Sequence, residues 1–94
     1  MGSILTVINV EKPTHKLKTL PVYFNAVEKG IKKFEIRNNN DRDFQCGDIV
    51  ILCEFDKNKL LGQYTGREIS VQITYVTNYE QQQGFVVFGF VVIE

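Results

Sequence analysis

The chain has no tryptophan, one histidine, one methionine, two prolines and two cysteines in 94 residues. A lone histidine among scattered acids offers no ligand set of the kind zinc or another transition metal needs. Cys46 and Cys53 stand seven apart with no second pair, match no zinc spacing, and read as two buried free thiols of a protein kept in a reducing compartment. No apolar run approaches the ~18 residues of a membrane span, and the N-terminus has neither the basic start nor the cleavage site of a secretory signal. A glycine-rich phosphate loop is missing too. These absences predict a cytoplasmic protein with no metal, no cofactor and no membrane partner. Net charge is also missing, since 11 basic residues balance 11 acidic ones. Proteins that coat DNA without specificity are usually strongly basic, so that class is disfavoured.

What is present describes one globular domain. Hydrophobic residues make up 44% and charged residues 23%, ordinary proportions for a folded chain of this length. The basic residues are unevenly placed. Lys12, Lys16, Lys18, Lys29, Lys32, Lys33 and Arg37 face only Glu28 and Glu35 in the same stretch, while the rest of the chain is acidic on balance. The first stretch is a candidate docking surface for an anion.

Ile4 to Val10 is rich in β-branched residues and reads as a short strand or an extended arm. His15 to Leu20 alternates and reads as a half-exposed strand. Pro21 then opens a helix in which Leu20, Phe24, Val27 and Ile31 form one apolar stripe, with Lys29 in its last turn and Gly30 as the left-handed stop. Lys33 to Arg37 alternates strictly, which places Phe34 and Ile36 on one face, predicted to be inward, and Lys33, Glu35 and Arg37 on the other. Ile49 to Phe55 is apolar on both faces and reads as a buried strand. Asp56 to Arg67 reads as a long polar loop of the kind that is often functional. Ile69 to Tyr75 alternates, and Phe85 to Ile93 is a final apolar strand. The fold class is therefore mostly β with one short helix (α+β), a largely antiparallel barrel or half-barrel of five to six strands.

The stretch that carries chemistry is Gly30-Ile31-Lys32-Lys33-Phe34-Glu35-Ile36-Arg37. Glu35 and Arg37 can pair on one strand face, leaving the guanidinium oriented toward a phosphate or a base edge, with Lys32 over the same cleft. On spacing alone a solvated ion pair is the better account of these residues. The pattern Gly30-x-Lys32-x-x-Glu35-x-Arg37 resembles the signature of the ASCH superfamily, whose fold is similar to the PUA domain. His15-x-Leu17-Lys18, Pro21-x-Tyr23-Phe24, Asn40 to Phe44 with Gly47-Asp48, Tyr64 to Glu68, and Gly84 to Gly89 resemble an uncharacterised bacterial and phage-associated branch of it. The resemblance covers residues 15–93, so 15–94 is taken as the ASCH/PUA-like domain and 1–14 as an N-terminal extension or extra strand.

That resemblance implies a β-barrel with a cleft between the helix and the signature strand, and binding of RNA or a modified nucleotide there. Lys32, Glu35 and Arg37 would line the cleft; Lys18, Arg42, Tyr64 and Arg67 match only the branch pattern and are placed near it by analogy. A hydrolase acting on RNA or an acylated nucleoside is the alternative, with Lys32, Glu35 and His15 as its acid–base groups. Relatives that hydrolyse N-acetylated cytidine carry threonine where this chain has Glu35, which puts that activity in doubt. A protein-interaction domain that uses the Asp56–Arg67 loop and the exposed N-terminal strand is the third reading.

Overall fold

Strand β1 (Thr14–Thr19) turns alternate residues inward, so His15, Leu17 and Thr19 are buried while Lys16 and Lys18 face out. The computed structural model describes residues 13–93. The strand read at Ile4–Val10, and with it most of the 1–14 extension, lies outside the described residues. Leu20 stays extended, and Pro21 starts α1 (Pro21–Glu28), where its fixed φ suits the first turn and its missing N–H costs nothing. Lys29 is the C-cap, and Gly30 at φ +77° closes the helix. The Gly30 N–H donates to Val27 O and the Ile31 N–H to Ala26 O, the paired bonds of a Schellman stop. Phe24 and Val27 are buried, but Ile31 lies past the stop and is 75% exposed, so the apolar stripe ends one residue type short of the reading above.

β2 (Phe34–Asn38), β3 (Ile49–Asp56), β4 (Gln63–Thr77) and β5 (Phe85–Val92) complete the fold. They form one five-stranded sheet in the order β1-β3-β4-β5-β2. The pairing is antiparallel except that β1 runs parallel to β3. A parallel pair needs a long crossover, and residues 20–48, which carry α1 and β2, supply it. The sheet is therefore mixed, and it forms the half-barrel that the order of elements allows, not the closed barrel that the resemblance implies. Its edge strands β1 and β2 are not paired to each other; α1 lies across this end of the sheet.

Leu17, Val27, Phe44, Val50, Leu52, Val71, Ile73, Val86, Phe88 and Phe90 form the core. Phe44, in the β2–β3 connection, packs its ring 4.9 Å from Phe88 and 4.7 Å from His15, tying that connection into the core. Two features depart from the sequence reading. The expected loop Asp56–Arg67 is mostly a hairpin arm, because β4 begins at Gln63 and pairs Tyr64 with Phe55. Its connection is only residues 57–62, and Leu60 and Leu61 at its tip are 86% and 94% exposed. The second departure is the phase of β2: Glu35 faces inward and Phe34 and Ile36 face outward.

Candidate functional site

Glu35 lies on β2 opposite Phe88 and is buried, so its carboxylate must be neutralised and hydrogen-bonded locally. Both conditions are met. The Lys32 ammonium donates to Glu35 Oε2 at 2.5 Å and to the Phe34 carbonyl at 2.6 Å. Arg37 Nε donates to Glu35 Oε1 at 3.0 Å. The same guanidinium reaches across to β1, donating to the Lys18 carbonyl at 3.0 Å and to Thr19 Oγ1 at 3.4 Å. Lys32 and Arg37 thus share the Glu35 carboxylate, and Arg37 fastens the two unpaired edges of the half-barrel. The inward phase of β2 follows from this network: a doubly paired carboxylate at the seam between edge strands is as well satisfied as an apolar residue would be, and Phe34 and Ile36 are left for the outer face.

On that outer face Tyr23, Lys32, Phe34, Glu35 and Ile36 line a cleft of about 360 Å³. The Lys32 ammonium sits 5.6 Å from the centre of the Tyr23 ring and 5.0 Å from that of Phe34, both within cation–π range. Of its three N–H bonds two are used within the protein, and the rings of Tyr23 and Phe34 remain half exposed. The cleft can therefore offer two aromatic faces and one cation to a flat, anionic ligand. Phe34 was invisible as a wall so long as its strand was read in the opposite phase. Tyr23 is signalled in the sequence by the Pro21-x-Tyr23-Phe24 pattern.

A second ionic cluster lies at the same end. Opposite Glu54, β4 carries extra residues between its pairings with Cys53 and Phe55, a bulge containing Gly66 at φ +95°. The bulge aims two side chains at the buried Glu54 carboxylate: Thr65 Oγ1 donates to it at 2.7 Å, and Arg67 Nε forms an ion pair with it at 3.2 Å. Arg67 also donates to Asn25 Oδ1 at 2.8 Å, lies 3.5 Å from Glu28 Oε1, and covers the Phe24 ring at 4.8 Å. Arg67 is accordingly committed to holding α1 on the sheet.

The remaining predicted residues are dispersed. Lys18 places its ammonium 4.3 Å over the Phe55 ring, whose edge meets Tyr64 at 5.0 Å, on the outer face of the arm. Tyr64 and Arg67 border a groove of about 300 Å³ together with Lys16, Cys53 and Glu68. Arg42 is an exposed residue of the β2–β3 connection, which leads away from the Lys32 end of β2. His15 is buried, with Nε2 2.9 Å from Asp48 Oδ2, an oxygen that also accepts the Gln45 N–H at 3.0 Å. It stands four residues from Thr19 along β1, roughly 13 Å at the rise of a strand. Lys32 and Glu35 are together; His15 is not with them.

Both cysteines are free, but only Cys53 is buried; Cys46 is exposed, its thiol 3.2 Å from the Thr74 carbonyl. Burial, followed by the nearby Glu68 carboxylate, pushes the Cys53 thiol above its ordinary pKa, against a smaller opposing effect of Lys16. Among the described residues no group of three His, Cys, Asp or Glu side chains could hold a metal ion, and no helix is long and apolar enough to cross a membrane.

Fold and site together define a small half-barrel domain whose seam is closed by a lysine–glutamate–arginine network beneath an aromatic cleft. Residues 14–90 match the family described as a domain of unknown function, DUF3850, and the chain belongs to that family. No curated protein matches the chain.

Proposed function

We propose that the cleft between α1 and β2 binds RNA or a nucleotide-like ligand, by stacking a base on Tyr23 or Phe34 and placing a phosphate on Lys32. The observation that carries this reading is the exposed pair of rings on either side of an ammonium whose third N–H is unspent. Unpaired bases are commonly held by aromatic faces, and backbone phosphates by cations nearby. The likeness of Gly30, Lys32, Glu35 and Arg37 to the ASCH signature supports the same assignment. In this reading Glu35 and Arg37 act as positioning residues, since they hold Lys32 and the seam in place and are themselves engaged. The test is a titration with fluorescent RNA and labelled nucleotides at two salt concentrations. Binding should weaken as salt rises and fall at least several-fold in Lys32→Ala and in Phe34→Ala, since one stacked base contributes about 1–3 kcal/mol. Undiminished affinity in both variants would place the ligand elsewhere.

A second reading, contact with another protein, is favoured by the tip of the β3–β4 arm. Two adjacent leucines stand there in water beside Lys57 and Lys59, with Leu61 at φ +63°. Apolar side chains held out in this way are characteristic of interaction sites. A partner captured by the parent and lost in Leu60→Ser, Leu61→Ser, with nucleotide binding absent from both proteins, would favour this reading over the first.

A further inference from the structure

We propose that the ligand is a single-stranded RNA of several nucleotides, gripped at two aromatic stations on opposite sides of the β1–β2 seam; this rests on the cleft reading above and names its substrate class. The first station is Tyr23, Lys32 and Phe34. The second is Lys18, Phe55 and Tyr64, with Lys16 beside it.

The two stations are built alike. Each has two aromatic side chains and one lysine whose ammonium lies over a ring: Lys32 is 5.0 Å from Phe34, and Lys18 is 4.3 Å from Phe55. At each, one tyrosine is at least half exposed, Tyr23 at the first and Tyr64 at the second. Both lie on the outer surface of the half-barrel. Phe34 and Ile36 are the outward residues of β2, Lys16 and Lys18 those of β1, and Phe55 is an outward residue of β3. What joins the two surfaces is the Arg37 bond to the Lys18 carbonyl, which holds the β2 edge against β1. The residue whose carbonyl is fastened at the seam is the one whose side chain caps the second station. From Tyr64 the surface continues as the groove lined by Lys16, Cys53 and Arg67.

A mononucleotide can occupy only one such station. The stations belong to different edge strands, linked where Arg37 of β2 bonds the Lys18 carbonyl of β1, so separate nucleotides of one chain are needed to fill both. A chain of about four or more nucleotides is within the range of single-strand sites on other small barrels. The surface favours RNA without strong sequence preference, because stacking faces and phosphate-seeking lysines outnumber groups placed to read a base edge. The acids near the track do not oppose this. Glu35 and Glu54 are buried and paired, which leaves Glu68 as the one exposed carboxylate bordering the groove.

The experiment is fluorescence anisotropy with a labelled uridine dinucleotide and a labelled uridine decamer, on the parent, Tyr23→Ala, Tyr64→Ala and Lys18→Gln. The expected result is a decamer bound at least tenfold more tightly than the dinucleotide. Tyr64→Ala and Lys18→Gln should remove most of that advantage, whereas Tyr23→Ala should weaken both probes. Tyr64 and Lys18 are exposed, and Lys18→Gln guards against a fold defect in the tyrosine variant. Equal affinity for the two probes, with Tyr64→Ala and Lys18→Gln inert, would overturn the two-station inference and leave the cleft reading standing. Binding of neither probe would overturn both.

Discussion

Glu35 is the residue on which most of this end of the molecule depends. A carboxylate with 4% exposure is tolerable only while Lys32 and Arg37 neutralise it. Removing one partner of such a buried network leaves the rest unsatisfied and costs about 3–5 kcal/mol in comparable cases. Glu35→Ala should therefore lower the urea midpoint sharply, toward the limit of what a domain of this size tolerates. Glu28→Ala, which breaks only the exposed 3.5 Å contact with Arg67, should cost less than about 1 kcal/mol. Similar midpoints for the two variants would show that the Lys32–Glu35–Arg37 network is not structural. The two cysteines differ in the same single-residue way. Cys46 is exposed, and Cys53 is buried with its thiol held in the neutral form. A thiol reagent should label Cys46 first in the native protein and reach Cys53 at the rate of opening. Because the folded state holds the Cys53 proton more tightly than the unfolded chain does, the unfolded chain sheds it first as pH rises. This contribution to stability is thus intact at neutral pH and lost at alkaline pH, above the ordinary thiol range. Equal labelling rates for both thiols at neutral pH would contradict the burial of Cys53.

At the scale of elements, the helix stop and the arm depend on glycine for different reasons. Gly30 sits at φ +77° with open space where a side chain would point. Gly30→Ala should cost only the left-handed strain, about 1–2 kcal/mol. Gly62, at φ +69°, would bring a Cβ to 2.7 Å from the end of the Phe55 ring. Gly62→Ala must therefore add displacement of that ring, and with it of the Tyr64 contact, to the same strain. It should be the more destabilising substitution in parallel urea melts; equal losses would mean that Phe55 swings aside freely. These elements also show what could be read from the sequence. The helix was legible to its stop, because Pro21 and Gly30 act through local backbone geometry that needs no partner. The alternation of Phe34-Glu35-Ile36-Arg37 told correctly which residues share a face. It could not tell which face is inward, since that depends on Lys32, Thr19 and the β1 edge arriving from other parts of the chain. The arm was misread for a related reason: Gly62 and Thr65-Gly66 signal a loop, yet here one is a hairpin end and the other a bulge that β3 holds in register. The partnership of His15 with Asp48 spans 33 positions and has no local signature at all.

For the whole molecule, the decisive feature is that the half-barrel closes through a side chain. β1 and β2 exchange no backbone pairing, and one guanidinium spans them, bound to Glu35 on one strand and to the Lys18 carbonyl and Thr19 hydroxyl on the other. Only the planar fork of arginine makes these contacts together; a lysine keeps the charge but cannot hold both strands in the same geometry. Arg37→Lys should therefore retain the fold and most of the Glu35 neutralisation while loosening the seam. Global stability should fall by about 1–2 kcal/mol, one or two hydrogen bonds to charged or buried groups. Hydrogen exchange should rise in β1 and β2 well beyond that global change, with the core strands β3, β4 and β5 following global stability alone. If the seam also aligns the two aromatic stations, the same variant should keep its affinity for a dinucleotide and lose most of its advantage for a decamer, although neither station has been altered. Uniform exchange across all five strands, with the decamer advantage intact, would show that α1 and the core hold the edges together without Arg37. The retained geometry of the stations would then have to come from the packing of Phe24 and Val27 beneath the helix.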